Sequence, residues 1–107
     1  MKKLSIIIPV YNEISTVEII IKKLVKLKLY NESTKEIIIV DDSSTDGSSD
    51  VIKKYETEYD FIKAIYKDKN KGKGDSQKLA KKYVTGDYVI IQDADLEYEP
   101  DDINKLL

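Results

Sequence analysis

Four short runs of β-branched apolar residues recur along the chain, and a segment with helical spacing follows each of them. The runs are "LSIIIPV", "EIIIV", "FIKAIY" and "DYVIIQ". A strand that is apolar on both faces must be covered by helices on both sides, as strands of parallel sheets are. The alternation therefore predicts an α/β fold with a parallel sheet and right-handed crossovers. We place the strands near residues 4–8, 36–40, 62–66 and 87–92.

Helical segments lie between these predicted strands. In "ISTVEIIIKKLVKL", apolar side chains recur at helical spacing from Val17 to Leu27, and Ser15 or Thr16 is available as the N-cap. Further helices are expected over residues 46–58, capped by Asp46 or Ser48, over 75–84, and after Pro100. At 107 residues the chain is expected to form one domain, residues 1–107.

The chain contains no histidine, cysteine or arginine. Their absence excludes Ser-His and Cys-His nucleophiles, zinc sites and disulfides, so catalysis would depend on carboxylates, lysines, hydroxyls and bound ions. A net charge of −2 offers no overall basic surface for nucleic acid, and we expect none as a partner. No apolar run approaches the ~20 residues of a membrane span. We expect a cytoplasmic protein and leave peripheral contact with a membrane open.

Polar clusters follow the predicted strands at their carboxyl ends. They cover residues 9–13, 41–47, 70–74 and 93–99. Ligands of open parallel sheets bind outside the carboxyl ends of the strands. We therefore expect the four clusters to meet along one rim and to form the binding site.

Two adjacent aspartates, Asp41 and Asp42, end the second predicted strand. Capping of the next helix can occupy one carboxylate but hardly both, so we expect a ligand role for at least one of them. A calcium loop beginning at Asp42 is excluded, because Lys53 stands where its last carboxylate ligand should be and a strand precedes it.

The segment "NKGKGDS", residues 70–76, has two glycines before a helix. It lacks the first glycine and the Lys-Ser/Thr ending of a P-loop, and the third glycine of the dinucleotide-binding fingerprint. It is therefore either a plain turn or a loop whose backbone N–H groups reach a ligand anion. Lys73, between the glycines, is either a solvated lysine or an anion contact.

The segment "IQDADLEYEPDD" concentrates acidic residues after the last strand. If its backbone stays extended, Asp93, Asp95 and Glu97 project to one side. Carboxylates that converge in this way repel one another unless a hard divalent cation lies between them. The alternatives are a solvated acidic loop and a site for Mg²⁺ or Mn²⁺ that substrate phosphates complete.

Four motifs, taken in order, resemble the nucleotide-sugar-binding half of glycosyltransferase family 2. They are "SIIIPVYNE", "EIIIVDDSSTDGS", "NKGKG" and "GDYVIIQDADLEYEPDDI". Within that family the chain most resembles the polyprenyl-phosphate glycosyltransferases, which include dolichol-phosphate mannose synthase. The resemblance implies a Rossmann-like GT-A fold with strand order 3-2-1-4. It also implies a nucleoside-diphospho-sugar donor and transfer with inversion at the anomeric carbon.

The resemblance implies roles for the residues that bind the nucleoside. By position, Pro9, Tyr11 and Glu13 would line the nucleoside pocket. Asp41 and Asp42 would receive hydrogen bonds from the base or the ribose.

The resemblance also implies roles at the diphosphate. Lys73 matches the lysine of the family's Gly-Lys-Gly turn. Asp93 and Asp95 match its Asp-x-Asp motif for metal and diphosphate, with Glu97 as a third ligand of Mg²⁺ or Mn²⁺. A catalytic base is not identified.

Three features depart from the family's pattern. Ser43 stands where the family usually has glycine, and Lys78 replaces an arginine, which keeps the charge but loses the bidentate geometry. The resemblance ends where the acceptor-binding half of the family would begin. It therefore implies a truncated donor-binding half that forms homo-oligomers or needs a partner half, with polyprenyl phosphate as one candidate acceptor.

Two other functions stay open at this stage. A nucleotide-binding or regulatory module without transfer activity would need only the donor site. A nucleotidyltransferase would need a glycine-rich phosphate loop directly after the first strand, and "PVYNE" contains no glycine.

Overall fold

The computed structural model describes residues 2–29 and 34–94, which form a four-stranded sheet and three helices. The strands are β1 (Lys3–Val10), β2 (Thr34–Asp41), β3 (Ile62–Tyr66) and β4 (Tyr88–Ile91). The helices are α1 (Val17–Lys26), α2 (Ser48–Glu58) and α3 (Lys73–Lys81). The strands are all parallel and lie in the order β3-β2-β1-β4. The predicted fold class and strand order are confirmed.

Two helices begin at other residues than predicted, and in both the N-cap position is a glycine. α2 begins at Ser48 after Gly47, whose φ is 96°, and α3 begins at Lys73 rather than at residue 75. Asp46 lies before the N-cap position of α2, but its carboxylate still accepts the Ser48 N–H at 3.0 Å. The helix predicted after Pro100 lies outside the described residues.

Each face of the sheet is covered by different helices. Leu4, Ile6 and Ile8 of β1 alternate onto the face that α1 and α2 cover. Ile7, with Ile38 and Val40 of β2, lies on the opposite face under Ala80 of α3. Because both faces of β1 and β2 are buried, these strands consist of nearly continuous apolar residues. None of the helices formed by the described residues has the length and apolar character needed to cross a bilayer.

Pro9 lies within β1, where a missing N–H would normally break a ladder hydrogen bond. The backbone of Ile7 faces β4, because its carbonyl accepts the N–H of Gln92 at 2.9 Å. The nitrogen of Pro9 points to the same side, two residues further on, and the pairing of β4 with β1 ends at Ile7. The proline therefore removes no hydrogen bond from the ladder between β1 and β4.

A buried carboxylate joins the strands at the opposite, amino-terminal end of the sheet. Glu36 of β2 accepts hydrogen bonds from the Ser5 hydroxyl at 2.6 Å and from the Thr85 N–H and hydroxyl at 2.7 and 2.9 Å. Lys3 and Lys63 lie at 3.7 and 3.4 Å from its other oxygen. Desolvation alone would raise the pKa of Glu36, but these donors outweigh it and lower the pKa to about 2.

The substitution Glu36→Gln is expected to lower the free energy of unfolding by about 1–3 kcal/mol near pH 7, because charge-assisted hydrogen bonds are lost. A lowered folded-state pKa contributes stability that is present above the unfolded value of 4.5 and is lost as the pH falls toward 2. The difference between parent and variant should therefore shrink across this range, as urea denaturation at several pH values would measure. Glu58→Gln, at an exposed position, is the control. A difference that stays constant down to the lowest pH would contradict this account.

Candidate functional site

The carboxyl ends of the strands surround a cavity of about 300 Å³. Its walls come from the loop after β1, the end of β2, the glycine loop of residues 70–74, the first turn of α3 and the segment after β4. Six of the seven residues predicted to bind the nucleotide line it, namely Pro9, Tyr11, Glu13, Asp42, Lys73 and Asp93. We call it the donor cavity. Asp41, the seventh, does not line it.

The loops after β1 and β2 hold each other in place beside the donor cavity. The side-chain oxygen of Asn12 accepts the Thr45 N–H at 2.7 Å, and the carboxylate of Asp46 accepts the Ile14 N–H at 3.0 Å. Asn12 adopts a φ of 51°, a left-handed conformation that asparagine tolerates better than most residues. This arrangement leaves Tyr11 46% exposed at the cavity.

The adjacent aspartates Asp41 and Asp42 have different partners, although both are buried. One oxygen of Asp41 accepts the Ser44 N–H at 3.2 Å, in a turn where Ser43 has a φ of 64°. Asp42 points instead toward β3 and the glycine loop. The two carboxylates are therefore received by different hydrogen-bond donors. A direct contact of either one with a base or a ribose stays a prediction.

Asp42 belongs to a buried ionic network around Lys67, the residue that follows β3. The Lys67 side chain is 6% exposed, and its ammonium lies 2.7 Å from an Asp42 oxygen and 2.6 Å from an Asp75 oxygen. It also donates to the Ser76 hydroxyl at 3.2 Å. Desolvation alone would lower the pKa of Lys67, but its hydrogen bonds to Asp42 and Asp75 outweigh this effect and raise the pKa. The ammonium thus stays charged and joins β2, β3 and α3.

The carboxylate of Asp42 also fixes the backbone of the glycine loop. It accepts the N–H groups of Lys71 at 2.9 Å and of Gly72 at 2.8 Å. Desolvation alone would raise the pKa of Asp42, but the bonds from Lys67, Lys71 and Gly72 together lower it. Gly72 has a φ of 93° and a ψ of 168°, a region that is almost restricted to glycine. The loop therefore enters α3 with Lys73 beside the cavity.

Asp93 lies where the described chain leaves β4, and its side chain lies beside that of Lys73 at the donor cavity. The ammonium of Lys73 contacts Oδ1 of Asp93 as an ion pair. This buried oxygen accepts no well-formed hydrogen bond from the residues that the structure describes. An anionic oxygen of this kind is a ligand that Mg²⁺ and Mn²⁺ prefer. The residue type and position of Asp93 therefore fit a metal ligand.

The remaining members of the predicted metal site, Asp95 and Glu97, lie outside the described residues. Within residues 2–29 and 34–94, no group of three acidic side chains is arranged to hold a metal ion. The metal set therefore stays a prediction, with Asp93 as its described member.

Sequence reasoning did not single out Lys67 and Ser76. Lys67 carries the ionic network, and Ser76 lines the donor cavity with Asn70, a member of the predicted cluster 70–74. The sequence signal for Lys67 was a lysine directly after an apolar strand that pairs with the strand ending in two aspartates. Lys78, where the family has an arginine, lies outside the donor cavity and lines a separate one next to α3.

The sequence model of "Glycosyl transferase family 2" matches residues 5–107. Among curated relatives, a "Probable glycosyltransferase YdaM" of Bacillus subtilis is 37% identical over 89% of this chain and 23% of its own length. A "Cholesterol galactosyltransferase" of Borreliella burgdorferi is 40% identical over 87% of this chain and 25% of its own length. The chain thus spans about a quarter of the length of these relatives.

Solved structures share the fold. A mannosyltransferase from Pyrobaculum calidifontis in complex with GDP-Man and Mn²⁺ has a TM-score of 0.81 at 23% identity, over 94% of this chain and 30% of that one. At this identity the likeness shows the fold alone. S. aureus TarS 1–349 in complex with UDP-GlcNAc has a TM-score of 0.77 at 29% identity, over 87% of this chain and 26% of that one.

The two glycines of the loop are expected to respond in opposite ways to alanine. A Cβ at Gly72 or Gly74 would meet no atom within 4 Å, so only the backbone distinguishes them. Gly72→Ala should lower the free energy of unfolding by roughly 1–3 kcal/mol, because alanine is strained at its φ and ψ. Gly74→Ala lies inside α3 and should leave it unchanged or raise it by up to about 1 kcal/mol. Equal losses in chemical denaturation would contradict the described loop.

Proposed function

Because this chain belongs to glycosyl transferase family 2, we propose that the donor cavity binds the nucleoside diphosphate of a sugar donor and that the protein transfers the sugar to an acceptor with inversion. The observation that carries this proposal is the donor cavity itself. It combines an exposed aromatic ring, several carboxylates and one lysine in the first turn of a helix. These groups can receive a base, a ribose and a diphosphate.

In this proposal the nucleoside lies along the loop after β1. The ring of Tyr11 offers a face on which a base can stack, and Pro9 forms part of the apolar wall. The carboxylate of Glu13 lines the cavity and can accept a hydrogen bond from a ribose hydroxyl. The solved relatives carry GDP-Man and UDP-GlcNAc, so we propose a purine or pyrimidine diphospho-sugar as the donor.

The diphosphate would lie between Lys73 and the amino terminus of α3. Backbone N–H groups in the first turn of a helix are not used within the helix, and they attract anions together with the helix dipole. When a diphosphate arrives, the Lys73 ammonium can exchange its contact with Asp93 for the phosphate oxygens. It then offsets the charge that develops on the leaving diphosphate.

We propose Asp93, Asp95 and Glu97 as the ligands of Mg²⁺ or Mn²⁺. The bound cation would act as a Lewis acid toward the diphosphate. In this arrangement Asp93 is both the acidic neighbour that positions Lys73 and a cation ligand. The Pyrobaculum mannosyltransferase was solved with Mn²⁺, which favours a divalent cation in this fold.

The transfer itself is a displacement at the anomeric carbon. The acceptor oxygen forms the new bond from the face opposite the diphosphate, and the bond between the anomeric carbon and the diphosphate oxygen breaks with its electron pair leaving on that oxygen. We propose polyprenyl phosphate as the acceptor, because of the four-motif resemblance. Its oxygen is already ionised near neutral pH, whereas a hydroxyl acceptor would require a general base.

The proposal that the chain forms homo-oligomers, or pairs with a partner half, rests on β4. Within the described residues this strand is hydrogen-bonded only to β1. Its side chains Tyr88, Val89 and Ile91 are exposed. An unpaired strand edge beside exposed apolar side chains favours association.

Lys73→Gln is expected to weaken the binding of GDP or UDP by roughly 10–100-fold, because a charge-assisted contact to phosphate contributes about 1.5–3 kcal/mol. Isothermal titration calorimetry would measure this change. Lys81→Gln, at the far end of α3 and outside the donor cavity, is the matched control and should bind like the parent. Equal affinities of Lys73→Gln and Lys81→Gln would show that the diphosphate does not bind at Lys73.

Asp95→Ala is expected to abolish the increase in nucleoside-diphosphate affinity that Mn²⁺ causes, while the affinity without metal changes little. The reason is that the variant removes one carboxylate ligand and leaves Lys73 in place. Paired titrations with and without Mn²⁺ would separate the two contributions, and Asp60→Ala provides an exposed control. An unchanged Mn²⁺ effect in Asp95→Ala would contradict the metal site.

A further inference from the structure

A second cavity, of about 560 Å³, lies between the carboxyl end of β3 and helix α3. Five of its lining residues are lysines, namely Lys67, Lys69, Lys71, Lys78 and Lys82. We call it the lysine cavity. It does not share Lys73, Asp93 or Tyr11 with the donor cavity. The function proposed for the donor cavity assigns no role to the lysine cavity.

Positive charge is concentrated around this cavity, and a shorter cluster of four lysines lies at residues 22–28. Residues 67–82 contain seven lysines and two aspartates, a net charge of +5, in a chain whose net charge is −2. Asp68 and Asp75 also line the cavity, so its five lysines leave an excess of positive charge. A concave surface with an excess of one sign of charge focuses the electrostatic potential and raises the local concentration of oppositely charged ligands. The lysine cavity therefore attracts anions, although the chain as a whole repels them.

Only part of the positive charge of these lysines is neutralised by carboxylates of the protein itself. Lys67 is committed to Asp42 and Asp75. The side chains of Lys69, Lys78 and Lys82 form no ion pair with any residue in the described part of the chain. Lys78 and Lys82 also stand four residues apart at the end of α3, a spacing at which like charges destabilise a helix. A bound anion would remove this repulsion.

The chemistry of the walls favours phosphate over carboxylate. The chain has no arginine, whose planar guanidinium recognises carboxylates by two parallel hydrogen bonds. Lysine ammonium groups act as point charges and suit the several oxygens of a phosphate group. The side chains of Ile65 and Leu79 form an apolar part of the wall, and the volume exceeds that of a single phosphate.

We propose that the lysine cavity is a second binding site, separate from the donor cavity, for an anion that carries one or more phosphate groups. Either a free phosphorylated molecule or the headgroup of a phospholipid could supply this group. The Asp42–Lys67 ion pair separates the two cavities, since Asp42 lines the donor cavity and Lys67 lines the lysine cavity.

The test uses inorganic tripolyphosphate as the soluble probe and phosphatidylcholine vesicles with and without phosphatidic acid as the lipid probe. Calorimetry and vesicle cosedimentation, at about 150 mM salt to screen weak surface binding, would measure the two affinities. The variant replaces Lys69, Lys78 and Lys82 with glutamine. The matched control replaces Lys22, Lys23 and Lys26 of α1 with glutamine, which removes the same charge from the opposite face of the sheet.

We expect at least one probe to bind the parent and the α1 variant with similar affinity, and the lysine-cavity variant about tenfold or more weakly. If only the binding of vesicles depends on these lysines, the ligand is a lipid headgroup. If only the binding of tripolyphosphate depends on them, the ligand is a soluble molecule. Equal weakening in both variants, or no binding of either probe to the parent, would overturn the proposal. The part of GDP and UDP binding that depends on Lys73 should be the same for all three proteins, so the donor-cavity proposal is tested separately.

Discussion

The buried ammonium of Lys67 is the interaction on which the geometry of both cavities depends. It forms ion pairs with Asp42, directly after β2, and with Asp75 in the first turn of α3. The backbone N–H of Lys67 also continues the ladder by donating to the Asp41 carbonyl at 2.9 Å. Removing one partner of a buried ion pair typically costs ~3–5 kcal/mol, because the other charge stays buried without compensation. The buried Asp42 carboxylate is tolerated because β3 brings this cation beside it.

The parallel sheet explains why one end of the molecule carries the polar chemistry. The ends of β1, β2 and β4 and the loop after β3 converge on the donor cavity. At the opposite end, the carboxylate of Glu36 joins the strands by accepting hydrogen bonds from Ser5 and Thr85. The amino-terminal end is therefore built for stability. The carboxyl end keeps an exposed ring, Tyr11, and the Lys73–Asp93 pair, groups that a ligand can engage.

The sequence predicted the strands well, because apolar runs of β-branched residues admit few other structures, and the family resemblance supplied the strand order. The pairing of Lys67 with Asp42 was missed, because the two residues are remote in sequence and meet only through the register that pairs Asp41 with Tyr66. The start of α3 was placed too late, since no sequence pattern revealed that Gly72 would adopt a φ of 93°. The lysine cavity depends on both facts, and a lysine-rich helix by itself predicts only a solvated face.

The central claim is that the donor cavity receives the nucleoside diphosphate. A crystal structure of the chain with Mn²⁺ and either GDP or UDP would test it most directly. We predict the base against Tyr11, the diphosphate within hydrogen-bonding distance of the Lys73 ammonium, and the metal on Asp93. A nucleotide bound in the lysine cavity, or elsewhere on the surface with the Lys73–Asp93 contact intact, would contradict the claim.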